Sequence, residues 1–273
     1  MKSGFPLATV VFAMLIGSAV LTHADTFTSA SITKVTNKVE LIPPGKQPEK
    51  ADVGSIVKGS MGVKTGLDSR VELMFPDKTL ARLGSNTLFS FDQGTRSVEL
   101  GNGILLLQVP KNIGGAKITT APVTAAITGT TVLVEFHRTK SGGFRMTIIE
   151  GTVKLTSNST GKTTTVGPGK TVFFSSKTNQ FSTPKDADIG HIMRNSNLVN
   201  MGKLGNQQEI DSVIAAQKAL AAQGITLELV DTDNNNDNDI LNQDTLQTQG
   251  TLPASAIGPG AINSGGGNPP SSL

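Results

Sequence analysis

Between Gly54 and Ser175 the chain is cut into short runs of alternating apolar and polar residues, punctuated by glycine and by tight-turn residues. Three glycine-punctuated stretches stand out, at Val63–Phe91, Ala126–Phe136 and Ile149–Leu155. Period-two alternation over four to eight residues, closed at each end by turn chemistry, is the signature of β-strands with one buried face. Strand patterns fall at Ser55–Val57, Arg70–Phe75, Thr79–Leu83, Thr87–Phe91, Ser97–Leu100, Ile104–Val109 and Lys117–Thr120. They continue at Thr131–Phe136, Phe144–Ile149, Thr152–Thr156, Thr163–Val166 and Thr171–Ser175, after an earlier run over Ala30–Leu41. Arg70–Phe75 and Thr152–Thr156 alternate cleanly, so each is expected to bury one face. Ile104–Val109 and Thr131–Val134 are apolar on both faces and are the candidates for central strands.

The connections carry their own evidence. Pro76-Asp77, Ser141-Gly142-Gly143, Asn158 to Gly161 and Gly167-Pro168-Gly169 supply fixed φ, positive φ or side-chain turn bonds. Short strands, frequent turns and no intervening helix predict an all-β domain, either a β-sandwich or a solenoid-like stack of many short strands. No repeat of fixed length decides between the two. After Phe181 the pattern changes, and residues 181–224 read as helical. Thr183-Pro184 offers a helix start, Asn206 to Glu209 a capping box, and Gly224 a terminus. Ile210, Val213, Ile214 and Leu220 form a stripe for packing on the domain. Residues 225–273, rich in Asn and Asp and then in Gly, Pro and Ser, lack the apolar content to order themselves and read as a flexible tail.

The first 24 residues have the form of a secretory signal peptide: Lys2, an apolar run from Leu7 to Leu21, and small residues before Asp25. That run is shorter than the roughly 20 residues a membrane helix needs. Cleavage near Ala24 and a periplasmic or secreted mature chain without a transmembrane span are expected. A linker with one strand, residues 25–53, leads into the β domain at 54–180. The chain has no cysteine, which excludes disulfides and thiolate metal sites. It has 11 Phe but neither Trp nor Tyr, which disfavours a stacking sugar site of the lectin kind. Residues 25–224 carry 23 Lys and Arg against 15 Asp and Glu, whereas 225–273 carry six acids and no base. The lysines are scattered singly along strands, so a nucleic-acid partner is not expected.

No set of residues assembles into an enzyme site. His137 and His191 lie far apart in sequence, with no HExxH pattern, no GxSxG elbow and no phosphate loop. One cation motif can be weighed: Asp233, Asn235, Asp237, Asp239 and Asp244 follow the ligand spacing of a twelve-residue calcium loop, with Ile240 at the apolar eighth position. Asn238 replaces the usual sixth-position glycine, and Asp244 reaches less far than a glutamate. A solvated acidic linker is the competing reading. Otherwise no cofactor is expected.

Four stretches resemble the extracytoplasmic FecR-like domain, named for the ferric-citrate signalling regulator. They are Thr65-Gly66-Leu67-Asp68-Ser69-Arg70-Val71-Glu72-Leu73 with Pro76-Asp77-Lys78; Leu83-Gly84-Ser85-Asn86-Thr87; Ile127-Thr128-Gly129-Thr130; and Glu150-Gly151-Thr152-Val153 with Gly167-Pro168-Gly169-Lys170. The resemblance implies a non-enzymatic all-β domain that senses or relays state across the bacterial envelope. In the signalling regulators a helical segment that contacts a sigma factor, and then a membrane helix, precede this domain. Here six residues precede the apolar run, so direct sigma-factor contact is not expected. Thr128 stands where the family has a basic residue. The motif positions Gly66, Gly129, Thr130, Gly151, Gly167 and Gly169 are expected to serve architecture. The functional expectation is a binding or scaffold protein that engages an envelope protein or a cell-wall polymer. A sensory accessory of a separate transmembrane regulator, and a peptidoglycan or surface-polymer binder, stand as alternatives.

Overall fold

The computed structural model describes residues 26–138 and 143–230. The signal-peptide region and the calcium-like run at Asp233–Asp244 lie outside these described residues.

In chain order the strands are β1 (Ser29–Thr36), β2 (Val39–Ile42), β3 (Glu49–Lys50), β4 (Ile56–Lys58), β5 (Gly62–Thr65) and β6 (Arg70–Met74). Next come β7 (Leu80–Leu83), β8 (Leu88–Phe91), β9 (Ser97–Gln108), β10 (Gly115–Thr119), β11 (Val123–Thr128) and β12 (Thr131–His137). The last are β13 (Gly143–Glu150), β14 (Val153–Ser157), β15 (Thr163–Val166), β16 (Lys170–Ser175), β17 (Gln180–Phe181) and β18 (Lys185–Asp186). Two helices, α1 (Ile189–Asn195) and α2 (Gln207–Ala222), follow, with a 3-10 turn at Val199–Met201 between them.

The strands form two layers. One runs β4-β1-β6-β7-β9-β12-β13-β16, with β17 and β18 both on β16. The other runs β3-β2-β5-β8-β9-β10-β11-β14-β15. The chain passes back and forth between them, so the expected all-β fold is a sandwich wound in the manner of a roll. Only the β9–β10 pairing is parallel among those named. Inward-facing residues of both layers meet in one core, from Ile32 and Val39 through Phe89, Leu107, Ile127, Val134 and Met146 to Leu155 and Phe174. Phe27, Phe75 and Phe91 close one end, with ring centroids 4.3 Å apart for the first pair and 5.0 Å for the second.

β9 belongs to both layers. Its first half pairs with β8 and β10, and its second half with β7 and β12. The sequence pattern predicts two strands here, at 97–100 and 104–109, and the structure joins them through Gly101-Asn102-Gly103. Gly103 has φ of +99°, and a Cβ there would lie 2.3 Å from the Thr87 hydroxyl oxygen. Only glycine fits both the conformation and the space, so the chain can change layer without ending the strand. Conversely, the single run expected over 30–41 divides into β1 and β2 at Asn37, whose φ is +58°.

The outer faces of the layers differ. The layer containing β7, β12 and β13 is covered by α1, the 3-10 turn and α2, and we call it the roofed sheet. Leu80, Ile104, Leu106, Leu133 and Ile149 on its outer side pack with Ile189, Ile192, Leu198, Val199, Leu204 and Ile210 in a second core. This explains why β6, which alternates in sequence, is buried on both faces from Val71 to Leu73. Among the described residues the outer face of the other layer carries no such cover, and we call it the open sheet.

One expectation about the roof is corrected. Thr183-Pro184 does not start a helix. The chain first runs as β18 along β16, and α1 begins only after Asp188, whose carboxylate accepts a hydrogen bond from the His191 amide at 2.7 Å. Asn206 does precede α2, yet its side chain makes no capping bond and turns to a buried network instead. Gly224 follows the helix with φ of +84°, as its position suggests.

Candidate functional site

The ionisable groups inside the fold fasten the roof and the strands. Arg82 on β7 is 1% exposed and Glu72 beside it on β6 is 6% exposed. Arg82 Nε donates to Glu72 Oε2 at 2.8 Å, and its guanidinium donates onward to the carbonyls of Leu198 (2.9 Å), Val199 (2.8 Å) and Gly202 (3.1 Å). Thr33 Oγ1 gives the carboxylate a second donor at 2.7 Å. The planar fork of arginine reaches an acid and several carbonyls at once, which a lysine cannot do. One side chain thus holds the turn between α1 and α2 against the sheet.

A second cluster sits where α2 begins. Gln108 Nε2 donates to Thr131 Oγ1 at 3.0 Å, Thr131 Oγ1 donates to Glu150 Oε1 at 3.1 Å, and Asn206 Nδ2 also donates to that carboxylate oxygen. Burial pushes the Glu150 carboxyl above the ordinary range, against the pull of the Thr131 hydrogen bond and of Lys111. At the rim, Lys111 Nζ bonds Glu209 Oε1 at 2.9 Å. That bond raises the lysine and lowers the glutamate. A third clasp is Gln217 of α2, which donates to the carbonyls of Gly169 and Ala187 and accepts from the Ile189 amide at 3.1 Å.

Gly129, Gly151 and Gly169 of the motif fall around these joints. Gly129, Thr130 and Gly151 meet at the β11–β12 and β13–β14 connections. Gly151 has φ of +87°, and a Cβ there would lie 2.3 Å from Thr130 Cγ2. The Thr130 hydroxyl itself is buried without a hydrogen bond. Gly169 lies under Gln217, Gly66 opens the turn after β5, and Gly167 has open space where a side chain would go. His137 is buried at the end of β12, whereas His191 lies on α1 with its ring 3.1 Å from Asn195 Nδ2. Asp77 serves its own turn, accepting from the Thr79 amide at 2.8 Å and pairing with Arg96. Among the described residues no group of three or more His, Asp or Glu is gathered as a metal site would need.

Among the described residues nothing packs over the outer face of the open sheet. Near β2, β5, β8 and the β9 crossover it holds a concave depression of about 490 Å³, lined by Lys38, Glu40, Lys64, Leu67, Asn86 and Leu88 among others. Leu67 is 71% exposed and Leu88 40%. Farther along, β10, β11, β14 and β15 present lysines and threonines to solvent. Alternation alone does not reveal this division, because strands of both sheets carry the same pattern. The buried charges Glu72, Arg82, Glu135 and Arg145 were the available signal: four charged residues at outward positions of otherwise apolar strands.

Residues 62–154 match the family model described as "FecR protein", so the chain contains a FecR domain. Two solved structures of candidate anti-sigma factors from Parabacteroides distasonis ATCC 8503 are similar to it. One, at 2.50 Å resolution, is 10% identical with a TM-score of 0.42, and the alignment covers 49% of this chain and 64% of that one. The chain therefore spans a little under two thirds of that relative. The other, at 1.65 Å, is 14% identical with a TM-score of 0.43, covering 69% of this chain and 92% of that one. No curated protein matches the chain in sequence. No helix among the described residues is long and apolar enough to cross a membrane.

Proposed function

We propose that this FecR-domain protein is a non-catalytic binding module of the bacterial cell envelope, exported to the periplasm or beyond, and that it works through the outer face of the open sheet. The observation that carries this reading is the asymmetry of the sandwich. One outer face is covered and locked by Arg82, Gln217 and the Glu150 network, while the other is left polar, accessible and partly concave. The buried ionisable pairs Glu72–Arg82 and Glu135–Arg145 are held at 2.8–2.9 Å within the fold, which suits a scaffold better than a reaction centre. A relay role in cell-surface signalling is the second reading, favoured by the FecR match over 62–154.

A photo-cross-linking side chain placed at Leu88 of the open sheet, and in a separate protein at Lys218 of α2, tests both readings in native envelopes. Capture from position 88 and not from 218 supports the open face as the working surface; capture from 218 alone overturns it. Recovery of a receptor or an anti-sigma regulator from position 88 supports the relay, whereas recovery of wall-linked glycan supports the scaffold. Sequencing of the exported protein is expected to read from Asp25.

A further inference from the structure

We infer that the β10–β11–β14–β15 part of the open sheet binds an anionic polysaccharide, with acidic groups of the polymer seated on Lys117 and Lys154. The inference rests on the open face being the working surface and adds the chemistry of what lies on it. Register fixes the geometry. Lys117 of β10 stands opposite Ala126 of β11, and Ala126 stands opposite Lys154 of β14. The two lysines therefore share one cross-strand row, two strand spacings apart, about 10 Å. The methyl group of Ala126 between them leaves a shallow floor. Neither ammonium makes an ion pair within the described residues.

The neighbouring row is made of hydroxyls. Thr119, Thr124, Thr156 and Thr163 stand opposite one another in turn across β10, β11, β14 and β15. Thr165 extends the lysine row beyond Lys154, and Thr128 lies one step further along β11. Thr124 donates to Asn158 at 2.8 Å, whereas the hydroxyls of Thr119, Thr156, Thr163 and Thr165 have no partner within the described residues. Lys162 adds charge at the β15 end. Glu99 of β9, beside Thr119, is the acid bordering the patch.

This chemistry discriminates among polyanions. Each threonine hydroxyl both donates and accepts, which matches sugar hydroxyls. Nucleic acids are gripped by arginine and by aromatic stacking, and the outward residues of these four strands include neither. A lipid surface rewards apolar insertion, and the largest outward apolar residue here is Ala126. Lysines held singly on a flat sheet, at a spacing set by the backbone, suit a polymer whose charges recur along its length. Each contact is weak, so binding depends on several contacts being made together.

The test uses the full exported chain on immobilised polygalacturonate, with uncharged dextran, anionic phospholipid vesicles and single-stranded DNA in parallel. Retention by polygalacturonate and not by dextran, lost on raising the salt, is expected. The double variant Lys117→Glu/Lys154→Glu should lower the affinity about tenfold or more, and Ala126→Glu should do likewise. The charge-matched variant Lys203→Glu/Lys218→Glu, on the roof side, should leave it within twofold. Far-ultraviolet circular dichroism checks that every variant is folded. No retention of the native chain, an equal loss in the roof variant, or tighter binding to vesicles or DNA overturns the inference. Carrying Lys117→Glu/Lys154→Glu into the position-88 cross-linking protein separates the two readings. An unchanged protein partner with no glycan binding by the native chain sinks this proposal and leaves the working face standing.

Discussion

Replacing Arg82 with alanine should detach the roof. The guanidinium is 1% exposed and donates to the Glu72 carboxylate and to the carbonyls of Leu198, Val199 and Gly202. Removing it strands a carboxylate that is itself 6% exposed, with only Thr33 and the more distant Lys34 ammonium, at 3.8 Å, left to meet it. Breaking a buried pair from one side costs about 3–5 kcal/mol, mostly because the surviving charge is left unmatched. Against a total stability of roughly 5–15 kcal/mol this is a large share, and for a domain of this size it corresponds to a fall of about 10 °C in Tm. Arg82→Lys should recover little, since an ammonium on a flexible stem cannot hold three carbonyls and a carboxylate together. The double variant Glu72→Leu/Arg82→Met removes both charges and should recover more than half of the loss, with a coupling of about 2 kcal/mol in a double-mutant cycle. Urea unfolding gives the energies, and limited proteolysis between α1 and α2 reports whether the roof has loosened. If Arg82→Ala unfolds within about 1 kcal/mol of the native protein and the α1–α2 turn is cut no faster, the clasp does not hold the roof and the reasoning fails.

Three further outcomes follow from the same joints. Burial raises the folded-state pKa of Glu150 above its unfolded value, so its proton stabilises the fold below the usual carboxylate range near 4 and this contribution disappears as pH rises through the raised value. Glu150→Gln should therefore raise Tm at neutral pH and converge with the native protein in acid. A higher Tm for the native protein at pH 7 would contradict this. Glu209 at the rim of the same cluster has the opposite pH sense: held low by the Lys111 hydrogen bond, it stabilises above its unfolded value and loses that effect as pH falls. Gly151→Val should cost several kcal/mol, because a Cβ would meet Thr130 Cγ2 at 2.3 Å in a backbone conformation valine avoids; an unchanged melting curve would refute it. Gln217→Leu strips two carbonyls and one amide of their buried partner and should cost about 2–4 kcal/mol, with faster amide exchange at Ile189 as its specific mark.

Much of the architecture is legible in residue order. Alternation and turn residues define most of the strands, and the doubly apolar runs at Ile104–Val109 and Thr131–Val134 do become central strands β9 and β12 of the roofed sheet. Of the FecR-like motif positions, Gly129, Gly151 and Gly169 mark tight joints, since a positive φ and a missing Cβ are required there by the local backbone and are written in a single residue. Helix α2 is legible too, from Asn206 to Gly224, because its signals are local.

What residue order does not contain is which sheet a strand joins and what lies over it. Glu72 in β6 and Lys154 in β14 occupy the same place in the same alternating pattern, yet one is sealed beneath the roof and the other faces water. The difference arises from pairing between residues far apart: Arg82 with carbonyls more than a hundred residues later, and Lys117 and Lys154 brought into one row by β11 between them. Local propensity fixes the direction a side chain takes from its strand, inward or outward. Only the closed tertiary structure decides whether outward means solvent or a second core, because that depends on where helices α1 and α2 settle.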